Sequence, residues 1–336
     1  MKLDGGIPFD MAEAGDAARR LEEAGYTGAW GAETTNDPFL PLALAAEHTE
    51  RLELGTSIAV AFARNPMILA NIGYDLQKFS GGRFFLGLGS QIKPHITKRF
   101  SMPWSSPAAR MREMVQAIHA IWDCWETGDR LDFRGEFYSH TLMTPFFNPG
   151  PNPHGKPRIF LAAVGELMTE VTGEVADGWI SHAFTTPAYM HDVAMPALAR
   201  GAAKTGRSID DIEVSIPAFI VTGTNEKEMA EAAAGTRQQI AFYGSTPAYK
   251  KVLAHHGWED AQPELNRLSK EGKWVEMGEV IDESMLHEFA IVAEPDQVAV
   301  ELKKRFGEVV DRVSFYAPFR SDPEAWAPVI ESILAA

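Results

Sequence analysis

The chain of 336 residues, 45% hydrophobic and 23% charged, has the composition of a folded protein with a large core, which excludes a disordered or fibrous chain. Its formal net charge of -15 repels polyanions and no basic stripe offsets it, so no nucleic-acid partner is expected. No apolar run approaches the roughly 20 residues that cross a bilayer, and the amino terminus enters a strand with no basic region and apolar core ahead of it, so a cytoplasmic protein is expected.

In chain order, Leu3 to Pro8 reads as a first strand and Met11 to Ala24 as a helix closed by Gly25. Thr27 to Glu33 is a second strand, Pro38 to Thr49 a helix, and Leu52 to Val60 a third strand. Asn65 and Pro66 cap and open a helix over Met67 to Phe79, and SGGR turns the chain into a fourth strand, Phe84 to Leu88. The third and fourth strands are apolar on both faces, as parallel strands covered by helices are. A long connection, Gln91 to Pro107, leads to a helix over Ala108 to Glu126, where the single cysteine, Cys124, reads as a buried thiol without electropositive neighbours to activate it. Leu131 to Pro153 reads as a hairpin-bearing insertion.

The strand rhythm resumes with Arg158 to Val164, Gly178 to His182, Ile212 to Thr222 and Val309 to Tyr316. Helices follow at Glu166 to Ala176, Pro187 to Thr205, Asn225 to about Tyr243 and Pro323 to Leu334. Eight strands, each followed by helix, predict an α/β fold of the TIM (β/α)8 barrel type, one domain over 1–336 with insertions at about 91–107, 130–156 and 244–294. The last insertion reads either as a cover over the barrel mouth or as decoration of its outer wall.

In such a barrel the chemistry sits at the C-terminal ends of strands, which singles out Glu33, Ser57, Ile58, Gly89 to Gln91, Val164, Gly165, His182 and Phe319. Gly87, Gly89 and Ser90, and then Ala162, Ala163 and Gly165, leave backbone N–H groups open to a flat ring or a phosphate; tight packing is the competing reading. His182 can donate, accept or shuttle a proton. His95 with Lys93 and Lys98 suits an anion, or simply a solvated face. No metal is expected: the ten histidines are scattered, H-E-x-x-H is missing, and His255 and His256 lack a ligand set. A G-x-S-x-G elbow is missing too.

The segments EEAGYTGAWGAE, RLELGTSIAVAFARNPMILA, GGRFFLGLGS and FLAAVGELMTEVTGEVADGWI resemble, in order, signatures of the luciferase-like monooxygenase superfamily. The resemblance runs from about Leu3 to Phe319, and the connection SQIKPHITKRFSMPW resembles that of the branch using the 8-hydroxy-5-deazaflavin coenzyme F420. It implies a TIM barrel with insertions, F420 or FMN at the C-terminal mouth, a non-prolyl cis peptide at Ser57-Ile58, and frequently a homodimer. Ser90, Gln91 and His95 match the loop that holds the cofactor. Val164 and Gly165, beside Ala163, match its phosphate-side contacts, His182 and Ala183 its ring or tail neighbours, and Glu33 an acidic ring contact. Thr34 and Ile92 depart from the sugar-phosphate dehydrogenases of the branch, which carry a histidine and an acidic residue there, so their substrate does not transfer.

The expectation is therefore an oxidoreductase moving hydride between F420 and a small organic substrate, with Glu33, Asn36 and His182 as polar groups near the reacting atom. An FMN-dependent monooxygenase, or a barrel that binds a flavin without turnover, are the alternatives. Phe133, Phe137, Phe146, Phe147, Trp258 and Trp274 in the insertions suit an apolar or ring-bearing substrate, or merely pack the insertions down.

Overall fold

The computed structural model describes residues 1–319 and 326–335. The first half runs β1 (Lys2–Gly6), α1 (Met11–Glu23), β2 (Gly28–Gly31), α2 (Phe39–Glu47), β3 (Glu53–Thr56), β4 (Ala59–Val60), α3 (Pro66–Phe79), β5 (Phe84–Gly89) and α4 (Pro107–Thr127). A small antiparallel hairpin, β6 (Phe133–Arg134) with β7 (Ser139–His140), follows. The chain continues through β8 (Arg158–Ala162), α5 (Glu166–Val175), β9 (Gly178–Ile180), α6 (Pro187–Tyr189), α7 (Met195–Lys204), β10 (Glu213–Val221) and α8 (Glu226–Gly244). The last stretch holds α9 (Lys250–His255), α10 (Ala261–Glu271), α11 (Trp274–Glu279), α12 (Glu283–Phe289), β11 (Ala290–Val292), α13 (Val298–Phe306), β12 (Arg312–Tyr316) and α14 (Ala327–Ala335).

Parallel strands follow the order β10, β12, β1, β2, β3, β5, β8, β9, and β9 pairs back to β10, closing an eight-stranded TIM barrel. Every residue of β2 and β5 is buried, as strands with helices outside and packed side chains inside require.

Three local differences from the sequence reading have physical causes. The third strand is interrupted: β3 and β4 flank a cis peptide at Ser57-Ile58, and β5 pairs with both, Leu54 opposite Phe84 and Val60 opposite Gly89. The expected helix over Pro187 to Thr205 is instead α6, capped by the Thr186 hydroxyl on the Tyr189 N–H, then a π-helical turn over Met190–Ala194, then α7. Within the segment 244–294, expected as an insertion, four short helices lead into a strand that the sequence reading did not predict, β11, which pairs Ala290–Val292 with Phe219–Val221. The first residues of the expected helix at Pro323 lie outside the described residues.

The chain forms two compact units. One comprises residues 4–180 and 197–213. Its inner barrel layer stacks Trp30 edge-on to Phe85 at 4.4 Å and Phe85 against Phe160 at 5.0 Å, with Ile180 beside them. Asn65 caps α3 by accepting from the Ile68 N–H at 3.0 Å, as its place before Pro66 foretold. Cys124 is buried on α4, and burial pushes its thiol up, so it is no nucleophile. The other unit comprises residues 1–3, 181–196 and 214–336. Its core gathers Phe184, Phe219, Leu265, Leu286 and Phe289, so the helices after α8 bury apolar faces of their own.

Candidate active site

Glu33 stands two residues beyond β2, its side chain only 6% exposed. One carboxylate oxygen accepts from the Val60 N–H at 2.7 Å and from the Arg64 guanidinium at 2.6 Å, while Arg64 also reaches Asp37 at 3.0 Å. The Glu33 N–H donates to the Ile58 carbonyl at 3.3 Å, and the Ser57 N–H to the Gly31 carbonyl at 2.8 Å. Glu33 therefore clasps the 57–60 bend from both its backbone and its side chain.

The facing strand fits this bend through two missing side chains. A Cβ on Gly89 would lie 2.8 Å from the Ile58 side chain, and one on Gly87 would lie 1.7 Å from the Thr56 carbonyl oxygen. In the space so made, the Thr56 hydroxyl donates to the Gly87 carbonyl at 2.6 Å and accepts from the Gly87 N–H at 3.0 Å. Beyond β5, Gln91 turns the chain with φ +58 and accepts from the Ile92 N–H at 3.0 Å. The Ser90 hydroxyl donates to the Gln91 carbonyl at 3.2 Å. His95 is exposed and opens a π-helical turn over His95–Arg99.

After β8, the Ala163 carbonyl accepts from the Trp179 indole at 3.0 Å, which ties this loop to β9. Val164 is half-buried and Gly165 exposed; Gly165 begins α5 with no side-chain cap, and a Cβ there would meet only open space. Within that first turn the Met168 N–H donates to the Gly165 carbonyl at 3.0 Å, and the helix dipole of α5 favours an anion at this end.

The structure brings Glu33, Ser57, Ile58 and Gly89 into one bonded group. Asn36 does not join it: exposed, it donates to the Phe9 carbonyl at 3.2 Å. His182, two residues past β9, receives the Phe184 N–H on Nδ1 at 2.9 Å and stacks on Tyr249 with ring centroids 4.8 Å apart. Burial alone pushes its imidazole down to about 4, so the ring is neutral at pH 7. Ala183 is buried beside it, and half-buried Phe319 packs on the same core.

Sequence reasoning missed an arginine and a glutamate one helical turn apart. Arg110, 8% exposed, sits over the rings of Phe62, Phe137 and Tyr138 at 5.4, 6.0 and 5.5 Å and donates to the Tyr138 hydroxyl and the Pro103 carbonyl, both at 3.0 Å. The Glu113 carboxylate accepts from the N–H groups of Glu136, Phe137 and Tyr138 at 2.8, 2.7 and 2.6 Å. Together they pin the β6–β7 hairpin to α4. The Arg-x-x-Glu spacing at the start of α4 was the available signal, since residues three apart share a helix face.

Comparison with known proteins supplies the remaining evidence. An uncharacterised protein of Mycobacterium tuberculosis is 58% identical over 313 residues, covering 93% of this chain and 92% of that one. An F420-dependent glucose-6-phosphate dehydrogenase of Nocardia farcinica is 28% identical over 92% of this chain and 89% of its own length. Among solved structures, the coenzyme F420-dependent tetrahydromethanopterin reductase of Methanopyrus kandleri shares the fold with a TM-score of 0.81 at 22% identity, covering 100% of this chain and 99% of that one. The model of the luciferase-like monooxygenase family matches residues 2–312, and the chain belongs to that family.

Proposed function

We propose that this oxidoreductase uses coenzyme F420 and transfers hydride between the deazaflavin and a small organic substrate. Bound deazaflavin supplies the carbon that carries the hydride; the protein contributes position, polarity and exclusion of water. The observation that carries the reading is the amino-terminal end of α5, where exposed Gly165 makes no side-chain cap and a Cβ would meet no steric obstruction. It suits a cofactor phosphate, with Ala163 and Val164 alongside. The 57–60 bend, clasped by Glu33 and flanked by Gly89, offers a flat backbone face for the ring, and Ser90, Gln91 and His95 lie on the loop that follows. The F420-dependent relative from Nocardia supports the choice of cofactor.

The test is a titration of the purified protein with oxidised F420 and with FMN, followed by absorbance and fluorescence. Saturable binding of F420, weakened about tenfold or more by Gly165→Asp through repulsion at the helix terminus, is expected. Binding of FMN alone overturns the assignment of cofactor.

A further inference from the structure

The surroundings of His182 carry an inference about the substrate. The Phe184 N–H points at Nδ1 from 2.9 Å, and a backbone donor there leaves the single proton of a neutral imidazole on Nε2. Tyr249 stacks on the ring at 4.8 Å and Tyr243 meets it edge-on at 4.6 Å. The hydroxyls of Tyr243 and Tyr316 are 2.9 Å apart and bond to each other, and the ring of Phe219 lies 5.0 Å from that of Tyr316. Among the described residues, His182 Nε2 and the Tyr249 hydroxyl have no hydrogen-bond partner, and neither belongs to the buried polar atoms sealed without one.

Burial alone, among the described residues, lowers His182 to about 4 and raises Tyr249 to about 12. Burial, then the bond from Tyr316, raises the phenol of Tyr243 in the same sense. Near neutral pH this surface therefore presents aromatic faces and hydrogen-bond donors with no formal charge. A carboxylate or phosphate placed against these uncharged rings would lose its water, whereas an apolar body would gain by covering them.

We infer that the His182, Tyr249, Tyr243 and Tyr316 surface is the substrate-recognition wall of the enzyme, and that it takes an uncharged, largely apolar molecule whose oxygen accepts a hydrogen bond from His182 Nε2. His182 is on this account a fixed donor and not a proton shuttle, and Tyr249 provides a second polar contact beside it. The inference rests on the oxidoreductase reading for the word substrate, but its geometry does not depend on which cofactor is used.

The experiment uses the F420-loaded protein, with cofactor occupancy checked first by absorbance. The protein carries nitrogen-15 in its histidines, and the His182 signal is assigned by its loss in His182→Gln. The expected spectrum has the proton on Nε2. Cyclohexanone shifts that signal saturably, cyclohexanecarboxylate binds at least about tenfold more weakly, and Tyr249→Phe weakens the ketone several-fold with the fold intact. A proton on Nδ1, a carboxylate bound as tightly as the ketone, or no ketone binding to cofactor-loaded protein overturns the inference. Failure of F420 to bind counts against the cofactor alone, because the same ketone and carboxylate titrations on the free protein still decide the wall.

Discussion

Replacing His182 with glutamine should flatten the acid limb of the stability curve by an amount that the structure sets. An ordinary imidazole titrates at 6.5, and burial among aromatic rings holds His182 near 4. As pH falls between those values the unfolded chain takes up a proton that the folded chain refuses, so the histidine's contribution is complete above about 6.5 and is lost on the way down to 4. Between pH 7 and about pH 4.5 that loss integrates to about 2.5 kcal/mol, each pH unit within the window contributing about 1.4 kcal/mol. Glutamine cannot titrate, so His182→Gln should lose less stability than the wild type over that interval by about this amount. Urea unfolding of both proteins at the two pH values, compared as a difference of differences, removes the contributions of His119, His140 and His256, which burial depresses in the same sense. Equal acid losses in the two proteins would show that His182 is hydrated in the folded state and would refute the argument from burial.

Two further perturbations read other parts of the molecule. Glu113→Gln replaces a carboxylate that accepts three backbone N–H groups; a loss of about 2 kcal/mol is expected, with faster amide exchange at Glu136, Phe137 and Tyr138, and unchanged exchange there would contradict the pinning role. Gly87→Ala puts a methyl 1.7 Å from a backbone oxygen that cannot swing aside, so β3 and β5 must separate; a cost of about 3 kcal/mol or more should lower the melting temperature, and a melting temperature like that of the wild type would refute the contact.

Much of the barrel was legible because its strands carry their signal locally. Leu52 to Val60 and Phe84 to Leu88 are apolar runs bounded by turn residues, and Asn65-Pro66 announces a helix that the structure begins at Pro66. Short elements escaped: Ala290–Val292 is too brief to show a period, and it becomes a strand only because β10 extends past β12 to meet it. At the site, strand ends gave positions but not commitments. That Glu33 is occupied by Arg64 and Val60 depends on residues 31 and 27 places away, and the aromatic neighbours of His182 come from 61 and 67 places along the chain. Such pairings are made by the closure of the fold, and no window of neighbouring residues contains them.

The two-part pairing of β10 has an evolutionary consequence. Its first five paired positions, Ser215 to Phe219, set the alignment of β12, while Phe219 to Val221 hold β11. Everything between Thr222 and Phe289 is thereby a cassette with both splice points fastened to one strand. Helices inside it can be exchanged, lengthened or trimmed in a descendant without shifting the final stave of the barrel, so new specificities can be sampled there while the chemistry-bearing loops keep their places.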